Sequence, residues 1–196
     1  MNTSVILAHI SEYVTLDEEE KEYLSSVLIC QTVRQGELIV KKGDPGRYMV
    51  HANSGYLMTY YTDASGSDHV VQFASAGWWT GDLYSMAKNV PTIYSTRALT
   101  DSEVLLLPKV AHEQLLQKYM KFERYFRIIF QNGLMRLQYR LMESHSASAE
   151  ERYRSFRERY PNMEQHVPQK YIASYLGITP EFLSKLRKKI STGLAS

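Results

Sequence analysis

Two short amphipathic stretches on either side of a glycine constrain the fold of this chain most strongly. They occupy residues 169–176 and about 179–190. Gly177 permits a tight helix stop between them, and Thr179 followed by Pro180 is a strong helix start. Within each stretch the apolar residues recur at helical spacing, namely Ile172 and Leu176 in the first and Leu183, Leu186 and Ile190 in the second. The pattern predicts a helix-turn-helix, the unit that places its second helix in the major groove of DNA.

The face of this second helix opposite its leucines carries groups that can read DNA. Lys185 can donate to guanine, Glu181 can accept from cytosine, and Ser184 can do either. Lysines suit phosphate oxygens as well. The predicted DNA-binding residues are Thr179, Glu181, Ser184, Lys185, Lys188, Lys189 and Lys170. The alternative interpretation is a helical hairpin that only packs against the rest of the protein.

Charge is distributed unevenly along the chain. Residues 1–108 contain seven Lys and Arg against 13 Asp and Glu, whereas residues 109–196 contain 16 against eight. The half that contains the helix-turn-helix therefore attracts a polyanion such as DNA. No apolar run is long enough to cross a bilayer, and the first residues lack the basic start of a secretory signal, so we expect a cytoplasmic protein. The single cysteine, Cys30, is expected to be a small buried hydrophobe.

Secondary-structure signals divide the chain into three parts. Residues 4–30 predict short helices with an acidic helix start at residues 17–20. From residue 37 to residue 107, short runs rich in Val, Ile, Leu, Thr and Tyr alternate with glycine turns, which predicts an antiparallel sandwich or barrel. The predicted division is residues 1–108 for the strand domain with its N-terminal helices, 109–145 for a long helix and hinge, and 146–196 for the DNA-binding domain.

The region after Pro108 reads as one helix of some thirty residues that is apolar on two sides. One stripe consists of Leu115, Tyr119, Phe122, Phe126, Ile129 and Gly133, and the other of Phe130, Leu134, Leu137 and Leu141. One side can pack on the strand domain, and the other is best explained by the same helix of a second subunit. We assign the dimer helix to Tyr119, Phe122, Phe126, Ile129 and Gly133. Small polar residues at 144–150 predict a hinge, and a charged helix with a salt-bridged face follows to residue 160.

Glycine-containing segments in the strand-rich part carry a resemblance to a known family. They are residues 36–46, Gly55, and residues 77–83 with the sequence GWWTGDL. Together with the order of strands, long helix and helix-turn-helix, they resemble the Crp/Fnr family of bacterial transcription regulators over nearly the whole chain. The resemblance implies an α+β protein with a cyclic-nucleotide-binding-type β jelly roll, a long dimerisation helix, and an all-α helix-turn-helix domain. It also implies double-stranded DNA, a second copy of the chain and RNA polymerase as partners. The short segment 191–196 leaves no room for the β-hairpin wing that many members have.

Departures from the family pattern bear on the effector. Members that bind cyclic AMP use an acidic residue on the ribose and, about ten residues later, an Arg-Ser pair on the phosphate. Here Asp82 takes the acidic position, but the Arg-Ser positions fall on Thr92 and Ile93, and strand alternation places Arg97 on the other side. We therefore expect that cyclic AMP binds weakly or not at all, and that a different small molecule is the effector. The candidate pocket residues are Gly81, Asp82, Leu83, Thr92, Ile93 and Tyr94, and Trp78, Trp79, Tyr84 and Tyr94 are candidates for an apolar lining.

Other function classes fit the sequence less well. One cysteine does not support an iron–sulfur cluster, and the six histidines are scattered without the paired spacing of a cupin-type metal enzyme. No catalytic residue, metal ligand or certain cofactor is predicted. A ligand-binding or protein-interaction module that does not bind DNA stays open as the alternative to a regulator.

Overall fold

Short β-branched and aromatic runs between glycine turns form the strands of a two-sheet roll. The computed structural model describes residues 1–191. Within this range the strands are β1 (Ile29–Val33), β2 (Leu38–Val40), β3 (Tyr48–Ser54), β4 (Tyr56–Thr62), β5 (Asp68–Ser75), β6 (Trp79–Thr80), β7 (Ser95–Ala98) and β8 (Ser102–Pro108). All pair antiparallel, in the orders β1-β8-β3-β6 and β2-β7-β4-β5. The predicted antiparallel jelly roll is confirmed.

The interior of the roll is apolar between the two sheets. Val50, Leu57, Ala98 and Val104 are fully buried and pack together there. Gly55 joins β3 to β4 with a φ of +79°, and a Cβ at this position would lie 2.1 Å from the Ser102 hydroxyl. Only glycine fits this hairpin without a clash, which is why the chain can reverse so close to β8.

Two helices precede the roll, and both lie where the sequence predicts helices. They are α1 (Ser4–Ser11) and α2 (Glu18–Val27). Asp17 and Glu20 form a reciprocal capping box at the start of α2, which satisfies two backbone N–H groups of the helix end. The carboxylates of the first turn thus act as predicted.

Within the strand domain, the sequence interpretation missed three short elements: β1, β6 and the helix α3 (Leu83–Lys88). Residues 29 and 30 were assigned to the N-terminal helices, but they begin β1, an edge strand paired only with β8. The expectation that Cys30 is buried is wrong, because its side chain lies on this edge strand and is exposed. Edge strands lack a neighbour on one side, so a period-two pattern is weak there.

The long helical region is not one helix. It consists of α4 (Lys109–Lys118) and α5 (Met120–Ser146), separated by Tyr119 in an extended conformation. Neither glycine nor proline causes the break. The Tyr119 hydroxyl donates to Glu19 at 2.8 Å and its ring packs on Tyr23 of α2, so a tertiary contact fixes the interruption.

The C-terminal helices are α6 (Ala149–Arg159), α7 (Met163–His166), α8 (Gln169–Leu176) and α9 (Pro180–Ser191). Gly177 ends α8 in the left-handed conformation with a φ of +68°, as its position predicts. The predicted hinge at 144–150 is too long, because α5 continues to Ser146 and a capping box between Ser148 and Glu151 starts α6 at once. The connection is two residues. The expectation that no wing follows α9 concerns residues outside the described part of the chain.

The C-terminal helices pack on the roll through a continuous apolar cluster. Phe73 of β5 contacts Phe156, Tyr160 and Tyr175 of α6 and α8 with ring centroids 5.4–6.1 Å apart. Polar contacts join the same elements. The Ser174 hydroxyl accepts from the Val70 N–H at 3.0 Å and donates to the Asp68 carbonyl at 2.9 Å. Helix α8 therefore covers the free edge of β5.

Removal of the Ser174 hydroxyl tests this docking. Ser174→Ala leaves the buried Val70 N–H without its partner, so the free energy of unfolding should fall by about 1–3 kcal/mol. Urea unfolding followed by tryptophan fluorescence and by far-UV circular dichroism measures the change. Ser155→Ala on α6 is the control and should be nearly neutral. Equal stability of the two variants would show that the edge contact contributes nothing.

Candidate effector cleft and DNA interface

The loop region around α3 contains all six predicted pocket residues, and the Asp82 carboxylate among them is already hydrogen-bonded within the chain. The Asp82 carboxylate caps α3 by accepting from the Ser85 N–H at 3.0 Å, and its other oxygen accepts from the Thr92 hydroxyl at 2.7 Å. Thr92 is buried, whereas Leu83 and Ile93 expose about half of their surface. Among the described residues, the groups that contact this carboxylate are therefore neutral.

The glycine turn before β3 closes over this loop region. Gly43 and Asp44 exchange backbone hydrogen bonds with Thr92 at 2.8 Å each. A Cβ on Gly46 would lie 2.3 Å from the Ser85 hydroxyl and 2.8 Å from the Met86 nitrogen. The backbone at Gly46 lies so close to α3 that a side chain would clash there, which explains the glycine. This close contact fixes the position of α3 on the roll.

Arg97 does not reach the loop around α3. Its neighbour Thr96 points into the roll, where its hydroxyl bonds to Thr59 at 2.9 Å, and Thr59 in turn bonds to Thr80 at 2.7 Å. Arg97 lies on the opposite, outer side of the sheet, with its guanidinium 5.2 Å from the ring centre of Tyr60. The register that strand alternation predicts for Arg97 is confirmed.

A buried hydrogen-bond relay joins α1, β6 and α5. The Trp79 indole N–H donates to the Tyr125 hydroxyl at 2.8 Å, and the hydroxyl lies 2.9 Å from His9 Nδ1. The tyrosine oxygen accepts from the indole, and the tautomer of His9 decides which atom donates in the second hydrogen bond. Burial lowers the pKa of His9 and raises that of Tyr125, so both groups stay neutral. His51 stacks edge-on against Trp79, and burial lowers its pKa to about 3.

Beside this relay lies a cleft of about 900 Å³. It is bounded by α1, the segment from β5 to β6, and α5, and it extends to α6 and α8. Of the predicted pocket residues, only Gly81 and Leu83 line it. Trp78 and Trp79 line it as expected of an apolar wall, but Tyr84 is exposed at the surface. The sequence interpretation missed Arg136, Tyr160 and Tyr175, because residues far apart in the chain form this part of the wall.

The candidate DNA-recognition surface is the exposed side of α9. Leu183 and Leu186 are buried against α8 and α6. The Thr179 hydroxyl accepts from the Phe182 N–H at 3.2 Å, which confirms the predicted helix start. The predicted residues Thr179, Glu181, Ser184, Lys185, Lys188 and Lys189 are all exposed, and so is Lys170 at the start of α8. The exposed ring of Phe182 lies among them and was not predicted.

Acidic neighbours hold several cations around this surface. Lys189 pairs with Glu150 at 3.3 Å, and Arg187 pairs with Glu164 at 3.6 Å. Glu164 also pairs with Arg157, and Glu150 with Arg154, which confirms the predicted salt-bridged face of α6. These exposed pairs are screened by water and contribute little stability. They orient the basic side chains beside α9.

The two apolar stripes of α5 have different environments. Phe122, Phe126 and Ile129 are buried within this chain, against the N-terminal helices and the roll. The assignment of dimer contacts to these positions is therefore corrected. Tyr119 is held by α2, and Gly133 lines the cleft. In the second stripe Phe130 is partly buried, whereas Leu134, Leu137 and Leu141 each expose 56–59% of their surface.

Residues 30–119, which include most of the roll, match the family model described as a cyclic nucleotide-binding domain. No curated protein matches the chain by sequence. Solved structures match it along most of its length. FixK2 from Bradyrhizobium japonicum is 18% identical with a TM-score of 0.75, and the match covers 85% of this chain and 86% of that one.

Two further structures extend this comparison. The regulator CLP of Xanthomonas campestris, described as c-di-GMP responsive, is 14% identical with a TM-score of 0.71 over 90% of this chain and 93% of that one. A protein of Eubacterium rectale described as a regulator of the Crp/Fnr family is 17% identical with a TM-score of 0.70 over 92% and 87%. At these identities the comparisons establish the fold. They place a roll, a long helix and C-terminal helices in the same order.

Proposed function

We propose that the chain is a homodimeric, DNA-binding transcription regulator of Crp/Fnr type. The exposed polar side of α9 carries the proposal. Leu183 and Leu186 anchor this helix while Glu181, Ser184 and Lys185 project from its other side. A helix held in this way can enter a major groove, where each base pair presents a distinct pattern of donors and acceptors.

The assignment of roles follows from side-chain chemistry. Lys185 and Ser184 lie in the first two turns of α9, the part of a recognition helix that meets base edges. Lys170, Lys188 and Lys189 flank them and suit phosphates. Phe182 adds an apolar contact that can meet a thymine methyl group.

A second copy of the chain supplies the symmetric partner. An exposed stripe of three leucines at helical spacing is costly in water, and the equivalent stripe of another α5 covers it. A two-fold dimer then presents two copies of α9 to half-sites roughly 34 Å apart. In this proposal the inner stripe stabilises the subunit and the outer stripe joins two subunits.

We propose further that cyclic AMP is not the effector. The Asp82 carboxylate is engaged by Ser85 and Thr92, and Arg97 faces away from the roll interior. A cyclic phosphate in this loop region would be buried without a cation, which is costly. The c-di-GMP response described for CLP illustrates that this fold accepts other ligands.

Selection of bound DNA from a random pool tests both proposals. We expect a two-fold symmetric consensus whose sequence and enrichment do not change when cyclic AMP is added. A cyclic-AMP-dependent consensus would contradict the effector proposal alone. Salt-independent retention of DNA, or no enrichment, would favour an interaction module that does not bind DNA.

Lys185→Ala tests the reading role of α9. Loss of a base contact should weaken binding to the selected site about tenfold and relax the preference at one position in each half-site. Fluorescence anisotropy at several salt concentrations measures both the affinity and the salt slope. Lys88→Ala removes an exposed lysine from α3 and is the matched control. An unchanged base preference in Lys185→Ala would overturn this role.

Leu137→Glu tests the proposed dimer contact. A carboxylate in the apolar stripe should shift the mass in solution from about twice 22.7 kDa to that of a single chain. Light scattering after size exclusion measures this mass, and circular dichroism checks the fold. Met120→Glu is the control, since Met120 is an exposed apolar residue of the same helix outside the stripe. Dimers in both variants would show that another surface joins the subunits.

A further inference from the structure

Three arginines line the cleft beside α5, and they differ in how far their donors are engaged. Arg140 donates to three backbone carbonyls, those of Val70, Val71 and Tyr175, and Arg159 donates to the Tyr175 hydroxyl. Arg136 differs from both. Its guanidinium lies 5.0 Å from the ring centre of Trp78, and within residues 1–191 it has neither a hydrogen bond nor an ion pair.

The rest of the cleft wall is mainly apolar. The rings of Trp78 and Tyr160 are in tilted contact with their centroids 5.4 Å apart, and Ile129, Phe130 and Leu137 of α5 also line the cleft. A volume of about 900 Å³ is in the range of small-molecule sites. An apolar wall with one unengaged cation suits a ligand with an apolar body and one anionic group.

The charges around the cleft also favour an anion. Three arginines line it, whereas Glu12 is the acidic residue among the described lining residues. The positive charge of Arg136 also acts on His9 and contributes to its lowered pKa. His9 itself lines the same cleft, and burial keeps it neutral.

We propose that this cleft binds an aromatic or aliphatic organic acid, with the apolar body against Trp78, Tyr160 and α5 and the acidic group on Arg136. The site differs from the loop region around α3, whose carboxylate is engaged internally. The role of this cleft as an effector site rests on the proposed regulator function. The connection between them is the cleft wall, which includes Arg159, Tyr160 and Tyr175 of the C-terminal helical part of the chain. A ligand bound there contacts both the roll and the C-terminal helices.

Two dyes that share an aromatic body test the proposal. Anilinonaphthalene sulfonate carries one anionic group, and N-phenyl-1-naphthylamine lacks it. The full-length protein should bind both saturably with enhanced fluorescence. Arg136→Gln should weaken the sulfonate dye about tenfold, as expected for loss of a charge-assisted hydrogen bond, and leave the neutral dye unchanged. Arg124→Gln, an exposed arginine of α5 outside the cleft, is the matched control.

Leu134 and Leu137 belong to both the cleft wall and the exposed stripe of α5, so a steric variant at Gly133 tests the cleft without changing the stripe. A Cβ on Gly133 has no neighbour within 4 Å, so Gly133→Leu can extend a side chain into the cleft without a clash and should not lower the melting temperature. It should abolish saturable binding of both dyes. Dye binding that survives Gly133→Leu, or equal losses in Arg136→Gln and Arg124→Gln, would overturn the site.

DNA affinity measured on the same proteins distinguishes the two proposals. A protein that binds the sulfonate dye through Arg136 but never binds DNA retains the ligand site and contradicts the regulator function. A protein that binds the selected DNA, but whose dye binding changes in neither Arg136→Gln nor Gly133→Leu, contradicts the ligand site only. A change in DNA affinity on saturation with the sulfonate dye, lost in Gly133→Leu, supports both.

Discussion

The contacts of the Arg140 guanidinium hold three parts of the chain in one arrangement. Its donors meet the carbonyls of Val70 and Val71 on β5 and of Tyr175 on α8, and its carbon lies 3.9 Å from the Tyr175 ring centre. Only a planar group with several fixed donors can serve three acceptors and a ring at once. A lysine at this position would supply a point charge and lose most of these contacts.

This cluster explains why the C-terminal helices dock on the roll despite a short connection. Strand β5 is the edge of its sheet, and its outward backbone groups would otherwise face water or another chain. Ser174 and Arg140 satisfy these groups, and Phe73 anchors the aromatic cluster behind them. Ala147 and Ser148 are the two residues that connect α5 to α6. The direction of α5 and the packing of α8 on β5 therefore together determine the orientation of α9.

Local chemistry made much of the fold predictable from the sequence. The capping box at Asp17, the stop at Gly177 and the start at Thr179 each depend on residues within a few positions, and all three form as expected. The break at Tyr119 depends instead on Glu19, a hundred residues away, and no local signal announces it. The two sides of α5 show the same limit: both stripes were visible, but which one is buried depends on the whole roll.

The candidate sites likewise differ in whether local sequence patterns or the tertiary arrangement reveal them. The exposed residues of α9 follow from helix periodicity, so the sequence was sufficient to find them. Asp82 and Thr92 were both singled out from the sequence, but their mutual hydrogen bond is visible only in the folded chain, where the turn at residues 43–46 closes over them. The cleft at Arg136 combines residues from α1 to α8, which come together only in the folded chain. No local sequence motif therefore indicates this cleft.

Where a ligand binds determines whether it can change the position of α9. A ligand shifts a conformational equilibrium only by the difference between its affinities for the two states. A ligand confined to the loop region around α3 would contact the roll alone, and Asp82 is already engaged there. The cleft wall instead includes Trp78 from the roll, Arg136 from α5, and Tyr160 and Tyr175 from the C-terminal helical part of the chain. Any movement of the C-terminal helices away from β5 takes two of these four groups with it, so a ligand held by all four must bind the docked and undocked arrangements with different affinities.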